Sequence, residues 1–366
     1  MKICQISTVH PLNDNRVFHK ECRTLVRAGH NVTLIITHDR NEKLEGINIV
    51  ALKKRKNRLS RMVLGTFEAL CYALKEKADV YHFHDPELIP AGILLKLAGK
   101  KVVYDVHENT SQQILNKEWL GGIFTRRMAS CFAGFAEGLS KIFFDVIIAA
   151  RPDIAEHWNC SKVRVVINAA ALETIDKAPE IEISKPRAVV IYAGGLTYIR
   201  GIKQLIEAME IIGDKAQLWL IGKWEDEKFK AECEKLPGFK HVKSLGYMIV
   251  GQVYSYMKKS DIAVVTFLPV PNHLTTLPNK PFEYMACCLP VIMSDFEYWK
   301  KIFGENVLYA NPKSSEQIAK QIEKLLNDKS LRQILGQKGR KLVEEKYSWE
   351  AESKKLFEIY NSLAKL

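Results

Sequence analysis

The strongest constraint on this chain is an alternation of short apolar runs with helical patterns that occurs twice. In the first half, strands are predicted at Lys2–Val9, Asn31–Thr37, Ile47–Leu52, Asp79–His84, Lys101–Asp105, Asp145–Ala149 and Val163–Ile167. Helical patterns separate them, such as Val17–Ala28 stopped by Gly29 and Leu88–Ala98 stopped by Gly99. Asn168–Arg187 loses the period and gains Pro179 and Pro186, which reads as a linker. A second series follows, with strands predicted at Ala188–Ala193, Gln217–Ile221, Val242–Leu245, Ile262–Thr266 and Leu289–Met293. Such alternation predicts parallel, doubly wound sheets joined by right-handed crossovers. The expectation is an α/β protein of two Rossmann-like domains facing a cleft, residues 1–167 and 188–346, joined by 168–187 and followed by a C-terminal helical segment, 347–366.

A chain of 366 residues with 47% hydrophobic and 26% charged content suits two soluble domains. The opening MKICQISTV is too short an apolar run for a signal peptide, and no stretch approaches the length of a membrane span. Eight cysteines occur without a paired Cys-x-x-Cys pattern, so neither a disulfide framework nor a zinc site is suggested. These features lead us to expect a cytoplasmic protein. The net charge of +12 calls for an anionic partner or serves solubility. No aromatic–basic nucleic-acid module is present, and an anionic membrane surface or lipid-linked substrate fits better.

Two stretches bear on membrane contact. Lys53–Arg61, KKRKNRLSR, concentrates positive charge and is followed by Met62, Val63, Leu64 and Phe67. Leu120, Phe124, Met128, Phe132, Phe135, Leu139 and Phe143 recur at helical spacing near Arg126 and Arg127. The ordinary role of such a stripe is to pack on a sheet, and that of a basic run is to be solvated. Together they permit peripheral docking to anionic lipid.

Leu277–Asp295, LPNKPFEYMACCLPVIMSD, reads as a turn, a short helix and a buried inner strand. Asn279 would cap the helix and Pro281 suits its first turn. Glu283 then lies in the first turn of a helix at the C-terminal edge of a sheet, where open α/β sheets bind ligands. Complementing the helix dipole is its simpler role. Tyr192–Gly201, YAGGLTYIRG, ends a strand with Gly194 and Gly195 and opens a helix near Ile202. That geometry offers backbone N–H groups and a positive helix end to a pyrophosphate, although a plain strand–helix turn has the same sequence.

These two stretches resemble the donor site of glycosyltransferase family 4, enzymes of the GT-B fold, and HLTTLPNKPFEYMA is similar to a subgroup with a Leu-Pro-Asn-Lys turn. The resemblance implies a retaining, metal-independent transfer from a nucleotide sugar, with no cofactor. Glu283 would grip the ribose. The family's preceding glutamate falls at Thr275, which leaves the usual sugar-hydroxyl contact without a carboxylate. Arg200 matches a lysine that meets the diphosphate, and Gly195 takes the place of the usual arginine, so Lys280 is a candidate for the second charge. The donor set is thus Gly194, Gly195, Arg200, Asn279, Lys280 and Glu283. The leaving phosphate itself would accept the acceptor's proton.

The same resemblance places His107, in VVYDVHE, near the reacting sugar carbon, with Glu108 orienting it. His107, Arg200 and Glu283 are the catalytic candidates. On the acceptor side, Asp85 and Glu87 of YHFHDPE either serve the acceptor or open the next helix, with Asp85 as its cap. Asp14 and Arg16, in HPLNDNRVFHKE, either bind the acceptor, or else Asp14 or Asn15 only caps the helix starting near Arg16. His82 and His84 share a strand face, and two histidines without a third ligand make no metal site. The tail at Trp349–Leu363 resembles the helix that returns to the first domain in GT-B proteins. The family and the charge together imply polysaccharide or glycolipid assembly, with a UDP-linked donor, a glycan or lipid-linked acceptor, no nucleic acid, and a place at the inner face of the cytoplasmic membrane. A non-catalytic nucleotide-sugar-binding protein and a sugar-nucleotide epimerase are the competing readings.

Overall fold

A computed structural model describes residues 1–115 and 122–365. The chain forms two compact units: Met1–Asn168 with Ala351–Leu366, and Ala169–Glu350.

The first unit is built on an eight-stranded sheet. Its strands are β1 (Lys2–Ile6), β2 (Asn31–Thr37), β3 (Glu42–Leu44), β4 (Ile47–Leu52), β5 (Val80–Phe83), β6 (Lys101–Val106), β7 (Val146–Ala149) and β8 (Val163–Val165). They lie in the order β3-β4-β2-β1-β5-β6-β7-β8, parallel except for the β3–β4 pair. The inner strands are buried because helices cover both faces; β5 and β7 carry no exposed position. Three helices connect strands that step in one direction along the sheet: α1 (Thr66–Glu76), α2 (Ile89–Leu97) and α3 (Ile123–Phe143). Right-handed crossovers put all three on the same face, and α1 packs on α2, and α2 on α3. Gly92 permits the close approach of α2, since a Cβ there would lie 2.6 Å from Phe83 Cε1.

The second unit has a six-stranded, wholly parallel sheet. Its strands are β9 (Ala188–Ala193), β10 (Ala216–Ile221), β11 (Val242–Gly246), β12 (Ile262–Val265), β13 (Val291–Ser294) and β14 (Leu308–Ala310), in the order β11-β10-β9-β12-β13-β14. Helices α4 (Ile202–Ile212) and α5 (Lys280–Ala286) carry the residues of interest. The stretch 168–187, expected as a linker, belongs to this unit from Ala169 onward: it holds a short helix, Leu172–Asp176, and buries Ala170, Ile175 and Ala178 in the core. Its prolines break the period without freeing the chain. The tail forms a helix, Trp349–Lys365, which from Ala351 onward belongs to the first unit and buries Leu356, Tyr360 and Leu363.

The aromatic stripe of α3 contradicts its expected burial. Phe124, Phe132 and Phe135 are exposed by 73%, 70% and 67%, while Phe143, at the stripe's end, packs on the core. The inner face of α3 is the small and polar one: Glu137 and Ser140 are buried, and the Glu137 carboxylate accepts the N–H and hydroxyl of Ser111 at 3.2 and 2.9 Å. Leu120, the first member of the stripe, lies outside the described residues.

Candidate functional site

In an open parallel sheet, ligands bind beyond the strand C-termini where the order of connection reverses. The first sheet reverses at β1, which lies between β2 and β5. The second reverses at β9, which lies between β10 and β12. Both candidate regions stand at these points.

In the first unit, the chains leaving β1 and β5 are tied together. Asp85 Oδ2 accepts the N–H of Thr8 at 2.7 Å, the hydroxyl of Ser7 at 2.9 Å and the N–H of Val9 at 3.2 Å. Asp85 therefore does not cap the following turn with its side chain, as expected for the structural role. Glu87 accepts the Thr8 hydroxyl at 2.6 Å and a two-point bond from Arg61 at 2.9 and 3.1 Å. Both carboxylates help to hold the loop after β1 in place.

Asp14 does act as a cap. Its Oδ1 accepts the N–H groups of Arg16 and Val17 at 2.8 and 2.9 Å, where the chain enters the turn Val17–Cys22. Its other oxygen meets His10 Nδ1 at 3.0 Å. Burial would depress the His10 pKa, but the bond to Asp14 and the charges of Asp14, Asp85 and Asp105 outweigh it and raise the value. Arg16 turns inward instead of toward an acceptor. It is buried, with Nε and Nη2 on the two oxygens of Asp105 at 2.7 and 3.0 Å and Nη1 on the Val166 carbonyl at 2.9 Å.

His107 follows β6. Its Nε2 lies 3.1 Å from Asp105 Oδ2 and 3.3 Å from Nδ1 of His84. The amide oxygen of Gln5 accepts from His84 Nε2 at 2.5 Å, and burial pushes the His84 pKa down, so the neutral ring keeps its proton on Nε2. Asp105 Oδ2 is the acceptor facing His107 Nε2, and it also lies 3.3 Å from His84 Nδ1. That network assigns the proton of neutral His107 to Nε2 and its lone pair to Nδ1. The orienting carboxylate is Asp105; Glu108, expected in that role, is exposed. The His10 ring stands 4.9 Å from that of His107.

The fold brings together more ligand chemistry than the sequence reading counted. Ligand atoms of Glu21, His82, His84 and Asp105 lie within 4.8 Å of one another, all buried. A cation already serves the two carboxylates, because Arg16 Nε is 2.7 Å from Asp105 and 3.0 Å from Glu21 Oε1. Burial and the nearby Asp105 push the Glu21 carboxyl pKa well up, whereas for Asp105 burial is overcome by Arg16 and His107, which hold it well below the usual carboxylate range. Arg16, His82 and His84 thus surround the two carboxylates. The network extends to the C-terminal helix, whose Tyr360 hydroxyl lies 2.8 Å from His82 Nδ1.

In the second unit, β9 runs into Gly194 and Gly195, and Gly201 precedes α4. Gly201 has φ +71°, and a Cβ on it would come within 1.9 Å of the Thr266 carbonyl oxygen at the end of β12. Only glycine lets the start of α4 sit against that strand. Arg200 folds back over the loop: a Cβ at Gly194 or Gly195 would lie 3.1 Å from its Nη1. The guanidinium carbon is 5.6 Å from the centroid of the Phe267 ring. The loop thus gathers a guanidinium, two side-chain-free residues and the N-terminus of an 11-residue helix.

Helix α5 buries Glu283. The carboxylate accepts from Lys280 Nζ at 2.7 Å and from the Tyr254 hydroxyl at 3.3 Å. Lys280, a candidate for the diphosphate, thus places its ammonium on Glu283. Asn279 has helical backbone angles and no capping side-chain bond, contrary to expectation; its carbonyl accepts the Glu283 N–H at 3.3 Å. The adjacent Tyr284 hydroxyl accepts the Ala193 N–H at 2.7 Å, which fixes α5 to the last residue of β9. Sequence reasoning missed Tyr254, Thr266, Phe267 and Tyr284, and in the first unit Gln5, Glu21, Asp105 and Tyr360. An acid inside the apolar run VVYDV was the one available signal.

Two family models divide the chain between them. "Glycosyltransferase Family 4" matches residues 15–169, and "Glycosyl transferases group 1" matches residues 174–342. The chain is a family 4-like, group 1 glycosyltransferase. An uncharacterised glycosyltransferase of Methanocaldococcus jannaschii is 28% identical over 368 residues, spanning 92% of this chain and 90% of that protein. A capsular polysaccharide biosynthesis glycosyltransferase, CapM of Staphylococcus aureus, is 29% identical over 182 residues, 48% of this chain and 47% of CapM. Among solved structures, sucrose-phosphate synthase from Thermosynechococcus elongatus matches with TM-score 0.75 at 18% identity, over 100% of this glycosyltransferase and 99% of the synthase. Anabaena HepE in complex with UDP matches with TM-score 0.73 at 14% identity, over 99% and 100%. These neighbours share the GT-B fold, and the glycosyltransferase has it too. Among its described residues no helix is long and apolar enough to cross a membrane.

Proposed function

We propose that this glycosyltransferase moves a hexosyl group from a UDP-linked donor to a glycan or lipid-linked acceptor, with retention of anomeric configuration and without a metal. The observation that carries the reading is Arg200 lying over Gly194 and Gly195 at the start of α4, because a departing diphosphate needs a preorganised positive site. HepE has been solved with UDP and with UDP-glucose, which supports a uridine donor here. Glu283, held by Lys280 and Tyr254, is the candidate for the ribose hydroxyls and would position the leaving group. The donor phosphate would take the acceptor's proton as the bond to the sugar breaks. His107, oriented by Asp105, is the first unit's candidate for contact with the sugar. CapM acts in capsular polysaccharide biosynthesis, which supports a surface glycan as the product and an inner-face, cytoplasmic location. The Leu-Pro-Asn-Lys turn marks a donor-site subgroup.

The test is calorimetric titration with UDP and with GDP in the absence of metal, on the wild type and on Glu283→Ala. We expect UDP to bind and the variant to weaken it by about tenfold to a hundredfold, the worth of hydrogen bonds to a carboxylate. GDP binding in preference to UDP would overturn the uridine assignment. Unchanged UDP affinity in the variant would remove Glu283 from the ribose site.

A further inference from the structure

Helices α1, α2 and α3 form one layer on one face of the first sheet, and each leaves large apolar side chains on the outside of that layer. Phe67 and Leu74 do so on α1, Leu94 and Leu97 on α2, and Phe124 and Phe132 on α3. In α3 the distribution is inverted relative to an ordinary surface helix, with aromatics outward and alanine, serine and glutamate inward. The aromatic side is therefore not surplus from core packing, because the core-facing side is already satisfied by other residues.

The run 53–61 leads into this layer with six basic residues in nine and no acid. Arg55 pairs with Glu68 and Arg61 with Glu87. Lys53, Lys54 and Lys56 remain exposed. The turn that follows exposes Leu59, Met62, Val63 and Leu64. Arg127 stands exposed beside the α3 stripe. Apolar side chains next to a one-signed basic rim are the complement of an anionic lipid surface: the rings enter the boundary between headgroups and acyl chains while lysines and arginines meet the phosphates. A second copy of this chain would bring the same positive rim against itself, which disfavours a homodimer through this face.

We propose that the outer face of the α1–α2–α3 layer, together with the basic run 53–61, is a docking surface for an anionic lipid bilayer. The inference rests on this surface alone and does not depend on the donor assignment. It also gives the first unit a place from which a lipid-linked acceptor is reached without diffusion through water.

The test is co-sedimentation of the full chain with vesicles of equimolar phosphatidylglycerol and phosphatidylcholine, compared with vesicles of phosphatidylcholine alone. Two variants accompany the wild type, F124S/F132S and K53E/K54E/K56E. All substituted side chains are exposed, and thermal unfolding confirms that the variants fold. We expect the wild type to sediment with the anionic vesicles only, and each variant to lose about tenfold in partitioning. Wild-type protein that stays in the supernatant with anionic vesicles, or variants that partition like the wild type, would overturn the proposal. So would a dimer in light scattering that F124S/F132S dissociates. UDP binding measured on the same samples separates the two readings, since vesicle binding without UDP binding counts only against the donor assignment.

Discussion

The Arg16 guanidinium and the Asp105 carboxylate form a two-point ion pair at 2.7 and 3.0 Å, sealed from solvent and 89 positions apart in the chain. The pair joins the turn after β1 to the end of β6 and leaves Asp105 free to orient His107. Removing one partner strands the other charge in the interior. Arg16→Met should cost about 3–5 kcal/mol of stability in denaturant unfolding. Arg16→Met with Asp105→Leu should recover part of that loss. A single variant as stable as the wild type would show that the pair does not hold the unit together.

Asp105 should also be visible through His107. In the wild type, nitrogen chemical shifts should report the proton of neutral His107 on Nε2. Asp105→Asn should mix the two tautomers and lower turnover by about a hundredfold, in the range of positioned acid–base groups, with UDP affinity unchanged. A tautomer that survives Asp105→Asn would assign the orienting role elsewhere.

His10 and Asp14 should set opposite pH limits on the first unit. The bond to Asp14 and the charges of Asp14, Asp85 and Asp105 outweigh burial and raise the His10 pKa in the fold, so its stabilisation is complete below the ordinary histidine value and is lost as pH rises through the folded value. For Asp14, burial is overcome by His10 and by the N–H groups of Val17 and Arg16, which depress its pKa. Its stabilisation is complete above the ordinary carboxylate value and is lost as pH falls through the folded one. An NMR titration should find His10 above its ordinary 6.5 and shifted down in Asp14→Asn. A His10 that titrates at 6.5 in both proteins would show the contact to be without electrostatic weight.

Arg200 should act on the departing diphosphate more than on fold stability. Arg200→Ala should lower kcat by about a hundredfold to a thousandfold, as for loss of one preorganised charge donor. Arg200→Lys should fall between, because it keeps the charge and loses the planar fork. Equal kcat in all three proteins would remove Arg200 from the chemistry.

Gly201 tests the packing that brings α4 to the site. Gly201→Ala places a methyl group within 1.9 Å of the Thr266 carbonyl oxygen at a left-handed backbone angle. It should destabilise the second unit by more than the roughly 1–3 kcal/mol of backbone strain alone. Gly213→Ala, also at positive φ but with open space around it, should cost less. Equal losses would mean that backbone strain, not contact with β12, accounts for the effect.

What the sequence determined by itself was everything that rests on local periodicity. The boundaries of β2, β4 and β9 are readable because uninterrupted apolar runs between turn residues have one stable use in a covered parallel sheet. The glycines of the β9–α4 loop and the placement of Glu283 early in a short helix are equally local. β3 and β14 are three residues long and go unread in the sequence, whereas β8, equally short, is read because Val166 and Ile167 extend its apolar run. Tertiary structure decided the rest. Periodicity shows that α3 has two faces but not which one meets the sheet; that depends on close packing of small residues and on Ser111 satisfying Glu137. Asp14 and Asp85 have the same capping chemistry, yet only Asp14 caps, because the switch point at β1 brings the N–H groups of Thr8 and Val9 to Asp85 instead. Arg16 and Asp105 carry no mark in sequence as a pair. Charges buried that far apart in the chain find each other only once the strand order has been laid down.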